Sequence, residues 1–93
     1  MIRSFADRAT ERLFRDGVCP AHWRSIESVV LRKLDILDAA TLLGDLRSPP
    51  GNRLEPLKGD RRGQYSVRIN RQWRVCFRWT PEGPEAVEIA DYH

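Results

Sequence analysis

Residues 53–79 read RLEPLKGDRRGQYSVRINRQWRVCFRW, and this stretch decides the fold. Apolar and polar residues alternate in it with a period of two, which is typical of half-buried antiparallel β-strands. We expect one strand over Tyr65–Ile69 and another over Trp73–Trp79, with a short strand at Leu54–Leu57 before them. One face of this sheet is apolar and can cover a core, whereas the opposite face is basic.

Basic residues are concentrated in the same part of the chain. The 93-residue sequence has a net charge of +3, but residues 1–46 are neutral, with seven basic and seven acidic side chains. Residues 47–78 contain nine Lys or Arg and two acids, and residues 79–93 contain four acids. The basic face of the predicted sheet carries Arg68, Arg74, Cys76 and Arg78. Guanidinium groups suit phosphate recognition, so this face is either a phosphate-binding surface or a solvated one.

Two amphipathic helices are predicted before the strands. The first covers residues 5–16, where Ser4 and Asp7 fit a capping box and Gly17 fits a C-cap. The second begins near Pro20. Its apolar residues recur at spacings of three and four: Trp23, Ile26, Val30, Leu34 and Leu37. This stripe indicates a core-facing surface.

The order of these elements predicts the fold class. Residues 41–46 add a further helical turn, residues 47–52 form a loop, and residues 85–91 form a last strand. Two helices followed by three or four antiparallel strands indicate an α+β domain. We expect one domain over residues 1–93, with an antiparallel helical hairpin on one face of a small, mostly antiparallel sheet.

Several classes of protein are disfavoured by the composition. No apolar run approaches the roughly 18 to 20 residues of a membrane span, and the N-terminus lacks the apolar region of a secretory signal, so we expect a cytoplasmic protein. Cys19 and Cys76 are far apart in the sequence and are expected to be free thiols, although the sequence alone also permits one disulfide between them. His22 and His93 are too few and too distant to suggest zinc.

Three segments together resemble a known family. They are the MIRSF opening, the stretch PLKGDRRGQYSVRINRQWRVCFRW and the final EIADYH. This arrangement is similar to the HigB toxins of the RelE/ParE superfamily of type II toxin-antitoxin systems. The resemblance implies a RelE-like fold and a ribosome-dependent mRNA endonuclease that cuts message in the decoding site by 2′-OH attack, without a metal or cofactor.

The resemblance also implies partners and site residues. The partners are a helix-turn-helix antitoxin (HigA-like), the small ribosomal subunit and mRNA; operator DNA is reached only through the antitoxin, and no membrane is involved. The catalytic positions are Lys58, Arg74, Asp91, Tyr92 and His93. Further RNA or ribosome contacts are expected from Arg53, Arg61, Arg62, Arg68, Arg71 and Arg78. At position 55, where relatives often carry His, this chain has Glu55.

These residue types suit RNA cleavage through the 2′-OH. The reaction needs a base, an acid and cations that stabilise charge on the phosphorus. His93 titrates near neutral pH and is the preferred acid. Strand alternation raises a difficulty, because Asp91 and His93 share the parity of the core residues Val87 and Ile89. A bend or bulge near Ala90, or an exit from the sheet, would be needed to bring the terminal residues together.

Two other functions are compatible with the sequence. A non-catalytic DNA gyrase inhibitor of the ParE branch would have the same helices and sheet, but it does not call for the Lys58, Arg74 and Asp91–His93 set. A basic nucleic-acid-binding module that acts as a co-repressor would show salt-sensitive binding and no growth arrest.

Overall fold

The computed structural model describes residues 1–91 and contains two α-helices followed by a four-stranded sheet. The helices are α1 (Arg8–Asp16) and α2 (Glu27–Ala39). The strands are β1 (Glu55–Pro56), β2 (Tyr65–Arg68), β3 (Trp73–Thr80) and β4 (Gly83–Asp91). They lie side by side in chain order, and every neighbouring pair is antiparallel. The predicted α+β class is confirmed, and Tyr92 and His93 lie outside the described residues.

One face of the sheet packs against both helices and forms the hydrophobic core. The core residues of the helices are Leu13, Val30, Leu34 and Leu37, and those of the sheet are Val67, Val75, Phe77, Val87 and Ile89. All of them are buried, and Phe77 is the largest that is fully enclosed. The period of two in β3 therefore places its odd-numbered residues in the core, as the sequence predicted.

The segment before α1 pairs with β4 instead of beginning a helix. Ser4 was expected to cap α1, but its Oγ accepts a hydrogen bond from the backbone N–H of Ala86 at 2.9 Å, and its carbonyl accepts one from Val87 at 3.1 Å. Helix α1 consequently starts at Arg8, so the predicted start at residue 5 and the capping box were wrong. At the other end Gly17 adopts a left-handed φ of 71° and caps the helix as predicted.

The predicted second helix is divided into two parts. A 3₁₀ turn over Ala21–Ile26 leads into α2, which is regular from Glu27 onward. The spacing of three between Trp23 and Ile26 matches the three-residue repeat of a 3₁₀ helix, which places both side chains inward. Helix α2 has 13 residues, and no helix in residues 1–91 is long and apolar enough to cross a membrane.

A buried lysine ties α2 to the irregular segment that follows it. Residues 43–47 form the expected helical turn, and a further 3₁₀ turn at residues 50–52 interrupts the predicted loop. The ammonium of Lys33 donates to Oδ1 of Asn52, and Nδ2 of Asn52 donates to the Leu46 carbonyl at 3.1 Å. Burial lowers the pKa of Lys33, with a smaller contribution from Arg32.

Truncation of Leu34 tests the assignment of the core. Leu34 is completely buried, so Leu34→Ala should lower the free energy of unfolding by about 2–5 kcal/mol through lost contacts and a residual cavity. The neighbouring Asp35 is exposed on the same helix, and Asp35→Ala should change stability by less than about 0.5 kcal/mol. Urea denaturation measures both values. Equal effects of the two substitutions would contradict the packing described here.

Candidate active site

The face of the sheet that points away from the helices, called the outer face here, is polar but not fully open to solvent. Its central row runs across all four strands and consists of Glu55, Ser66, Cys76 and Glu88. Ser66 and Cys76 are fully buried, although both α-helices pack on the opposite face. Other side chains must therefore cover the middle of the outer face.

Arg74 lies in the next row, and within residues 1–91 it contacts Ser66 and Glu55. Its Nη1 donates to Oγ of the buried Ser66 at 3.0 Å, and its Nη2 lies 3.4 Å from Oε1 of Glu55. The Arg74 side chain is only 14% exposed, whereas that of Glu55 is 47% exposed. Two contacts to a planar guanidinium define its orientation. The protein therefore fixes the plane of the Arg74 guanidinium. Glu55 is part of this arrangement.

Arg68 lies directly opposite Arg74 on the neighbouring strand. The two residues are paired in the register of β2 and β3, and both belong to the outer face. The Nε of Arg68 donates to the carbonyl of Asn70 at 3.2 Å. Like charges directly across a pair of strands are destabilising in the absence of an anion. This pair therefore creates a local positive potential that favours a phosphate.

Arg61 covers the centre of the outer face. It lies in the turn between β1 and β2, and its Nη1 reaches Oε1 of Glu88 on β4 at 2.7 Å. The same nitrogen lies 3.0 Å from Oε1 of Gln64. Because Cys76 of β3 is paired with Glu88, an ion pair from this turn to β4 has to cross β3 above Cys76. This crossing accounts for the complete burial of the Cys76 side chain.

The thiol of Cys76 is not an activated nucleophile. Burial raises its pKa and is the largest influence; Glu88 also raises the pKa, whereas Arg61 and Arg74 lower it. A thiol with a raised pKa and no solvent access is inert at neutral pH. Both cysteines are free, as the sequence predicted. Cys76 fills space beneath the charged side chains.

Lys58 lies at the start of the same turn. It directly precedes a 3₁₀ turn over Gly59–Arg61, and its side chain is exposed. Farther along, Gly63 has a φ of 91°, and a Cβ there would lie 2.9 Å from Nη1 of Arg78 on β3. The turn that carries Lys58 is thus held against the outer face through Arg61 and through the close approach of Arg78 to Gly63.

Asp91 lies at the end of β4 on a different face from Arg74. The register pairs Asp91 with Trp73 and pairs Arg74 with Ala90, so pairing is regular up to Asp91. The irregularity of the strand is found earlier, where Ala86 has a φ of 52° opposite the shift between Cys76 and Arg78. The bend considered for Ala90 is therefore absent up to Asp91, whose Oδ2 accepts a hydrogen bond from Gln72 Nε2 at 3.1 Å.

The remaining predicted RNA contacts are distributed around this face. Arg53, Arg62, Arg71 and Arg78 are all exposed. The structure pairs Arg68 with Arg74 on the outer face, whereas the turn that Lys58 precedes lies beyond the Tyr65 end of β2, and Asp91 has the parity of the core side. Tyr92 and His93, the last two predicted catalytic residues, lie outside the described residues.

Sequence reasoning missed the residues that hold these cations. Ser66 and Arg68 are two residues apart in β2, so the alternation in the sequence could have placed Ser66 on the outer face. Glu88 shares the outer face with Arg74, but its partner Arg61 belongs to a turn whose path no periodicity reveals. Within residues 1–91 no group of three or more His, Cys, Asp or Glu side chains is arranged to hold a metal ion.

Comparison with known proteins assigns the family. A family model described as RelE-like toxin of type II toxin-antitoxin system HigB matches residues 3–93. The chain belongs to the HigB-like toxins. The predicted family is confirmed, and this toxin is accordingly one half of a type II toxin-antitoxin pair, for which the family implies an antitoxin partner.

Two curated proteins resemble the toxin over most of its length. "Toxin HigB-1" of Vibrio cholerae serotype O1 is 43% identical over 83 residues, which cover 85% of this chain and 84% of the relative. "Endoribonuclease HigB" of Proteus vulgaris is 31% identical over 93 residues and covers all of both chains. A solved structure, "YoeB/ParE toxin from Agrobacterium tumefaciens", is 25% identical, with a TM-score of 0.44 over 77% of this chain and 83% of that chain.

The Arg61–Glu88 ion pair can be tested through Cys76. We expect a thiol reagent to modify the native toxin at the half-buried Cys19 at least about ten times faster than at Cys76. Glu88→Gln weakens the ion pair and should speed the modification of Cys76 several-fold, with a stability change below about 1 kcal/mol because the pair is partly exposed. Mass spectrometry after timed labelling measures both rates.

A matched control is available on α1. Glu11 forms an exposed ion pair with Arg15 at 3.1 Å, far from Cys76 in the sequence. Glu11→Gln should leave the labelling of Cys76 unchanged. Unchanged labelling in Glu88→Gln as well would show that Arg61 does not cover the thiol.

Proposed function

We propose that this toxin is a ribosome-dependent endoribonuclease that cuts mRNA in the decoding site, in the cytoplasm. The observation that carries the proposal is the opposed pair Arg68 and Arg74 on the outer face, where Ser66 orients Arg74. Such a surface concentrates positive charge where one phosphate can contact several cations. The name of the Proteus vulgaris relative, "Endoribonuclease HigB", supports the same chemistry.

The reaction uses the message's own 2′-oxygen as the nucleophile. A base takes the 2′-proton, the 2′-oxygen bonds to the adjacent phosphorus, and the bond from phosphorus to the 5′-oxygen breaks. The departing 5′-oxygen receives a proton from an acid, which leaves a 2′,3′-cyclic phosphate and a 5′-hydroxyl. The additional negative charge on the phosphate oxygens in the transition state is the charge that oriented cations stabilise.

Arg74, Lys58 and His93 each have one proposed role in this scheme. Arg74, oriented by Ser66 and Glu55, binds the scissile phosphate, and the exposed Lys58 stabilises the charge that develops on it. His93 is the proposed acid, because histidine is the side chain best suited to exchange a proton near neutral pH.

Asp91 and Tyr92 complete the proposed set. Asp91 serves as base or orients the imidazole of His93, and Tyr92 stacks on a base or holds a phosphate oxygen, as aromatic side chains do in RNA sites. Asp91 reaches the phosphate from the end of β4 and not from the outer face itself. We therefore place the scissile phosphate near that end of the sheet, beside Arg74.

The other cations are proposed to hold the toxin on the ribosome. Arg53, Arg62, Arg71 and Arg78 are exposed, and they would contact RNA backbone of the message and the small subunit. Arg68 joins Arg74 at the phosphate. Arg61 contributes positive charge while it keeps its contact with Glu88. The antitoxin is proposed to carry a helix-turn-helix domain, as in HigA, so that operator DNA is bound only through it.

Substitutions at Lys58 and His93 test the catalytic assignment. Lys58→Ala and His93→Gln should each reduce cutting of a defined message on purified, programmed ribosomes by about 100-fold or more, the usual range for lost proton transfer or charge stabilisation. Mapping the 5′ ends of the fragments measures the rate and the position. Arg12→Ala removes an exposed cation from α1 and is the matched control, with cutting within about two-fold of the parent. Normal cutting by both active-site variants would reject the assignment.

Induction of the toxin in cells tests the class of target. We expect growth arrest that is relieved when the neighbouring antitoxin frame is expressed with it, because antitoxins neutralise their toxins by binding. Message ends mapped during arrest should cluster within codons. Intact message together with lost DNA supercoiling would instead indicate gyrase inhibition, and salt-sensitive binding without arrest would indicate a co-repressor module.

A further inference from the structure

A cluster of three aromatic rings lies at the end of the sheet where β3 begins. The ring centroids of His22 and Trp23 are 4.8 Å apart, and those of His22 and Trp73 are 6.1 Å apart. Trp23 and Trp73 meet edge to face at 6.3 Å with an interplanar angle of 84°. We call these three residues the aromatic edge. It combines the 3₁₀ turn before α2 with the first residue of β3.

Burial differs strongly among the three rings. Trp23 is 3% exposed and belongs to the core, Trp73 is half-buried, and His22 is exposed. Core packing therefore explains Trp23, but it does not explain why an imidazole is kept in contact with both indoles at the surface. An exposed ring in contact with one buried and one half-buried indole is a rigid surface on which another flat ring can stack.

The indole N–H of Trp23 supports a ligand at this place. This nitrogen is buried, and in the described part of the chain it has no hydrogen-bond partner. Buried indole N–H groups usually find an acceptor, since an unpaired buried donor costs free energy. Trp23 is thus a nearly enclosed side chain with unused hydrogen-bonding capacity within the cluster.

Two cations neighbour the aromatic edge along the chain. Arg24 follows Trp23 in the same 3₁₀ turn, and Arg71 lies in the turn that leads into Trp73. Both are exposed, and neither forms an ion pair within residues 1–91. Aromatic rings interleaved with free guanidinium groups are the combination that binds single-stranded nucleic acid. An acidic protein segment would be held by the Arg residues but would leave the rings unused.

We propose that the aromatic edge is a binding site for an unpaired RNA base, which stacks on His22 beside Trp73 while Arg24 and Arg71 contact the flanking phosphates. The site is separate from the outer face, because Trp73 and Arg74 are successive strand residues whose side chains point to opposite faces. Trp73 is paired with Asp91, so the site adjoins the end of the sheet where we place the scissile phosphate. The proposal extends the RNA path proposed above around this end and rests on the toxin acting on RNA.

Binding of an uncleavable RNA tests the aromatic edge without the ribosome. The probe is a single-stranded oligonucleotide of about eight nucleotides with 2′-O-methyl groups, which cannot undergo 2′-OH attack. We expect the full-length toxin at low salt to show saturable quenching of tryptophan emission. His22→Ala should raise the Kd roughly 5- to 100-fold, the range of one lost base–aromatic stack.

Matched variants separate stacking from other effects of the substitution. His22→Phe keeps a flat ring and should bind within about three-fold of the parent, whereas His22→Gln, polar but without a ring, should resemble His22→Ala. Arg24→Gln should weaken binding. It should also lower the slope of log Kd against log salt concentration by about one, because one phosphate contact is lost. Leu42→Ala changes an exposed side chain beyond the opposite end of α2 and should bind like the parent.

The outcomes distinguish this site from the proposed catalysis. Three results would each overturn the proposal that the aromatic edge binds an RNA base. They are no saturable quenching in the parent, normal binding by His22→Ala, and equal losses of binding in His22→Ala and His22→Phe. Because the probe is not cut, its binding reports the aromatic edge and not the chemical step. Normal cutting of message together with unaltered binding by His22→Ala rejects only this inference, whereas ring-dependent binding without any cutting rejects only the proposed endonuclease.

Discussion

Pairing of β3 with both of its neighbours is the constraint on which the rest of the toxin depends. Because successive residues of a strand point to opposite sides, every core residue of β3 is followed by a residue of the outer face. Val75 and Phe77 are fully buried beneath the helices, while Arg74 and Cys76 face the other way. The core thus fixes the position of the cationic surface. A shift of the register by one residue would exchange the two faces.

Cations on the outer face are held by protein acceptors and not simply by water. Arg74 is bonded to Ser66 and Glu55, and Arg61 is bonded to Glu88 and Gln64. Orienting a charge before the substrate arrives reduces the reorganisation that is required when charge develops in a reaction. The acidic partners lower the net positive charge of the face, but they hold the guanidinium groups of Arg61 and Arg74 in fixed orientations. This compromise favours recognition of a phosphate at one place over general attraction of polyanions.

Much of the fold could be predicted from local sequence patterns, whereas the site could be predicted only in part. The period of two in residues 65–79 identified β2 and β3 because each strand has one buried and one polar face. The start of α1 could not be located in this way, since Ser4 is used by a strand more than 80 residues away. For the same reason the contact between Arg61 and Glu88 depends on the path of a turn, and no spacing in the sequence reveals it.

The attachment of the N-terminal segment to β4 also has a consequence for biosynthesis. The N–H of Val87 donates to the Ser4 carbonyl, and the Val87 carbonyl accepts from the N–H of Ala6. The carbonyl oxygen of Met1 lies 2.3 Å from where a Cβ would stand on Gly83, which has a φ of 131°. Residues 3–6 therefore lack their hydrogen bonds to β4 until residues 84–87 have left the ribosome. Such distant contacts form late, because a long chain must be closed first. A nascent chain that ends before residue 83 consequently lacks β4 and the completed sheet.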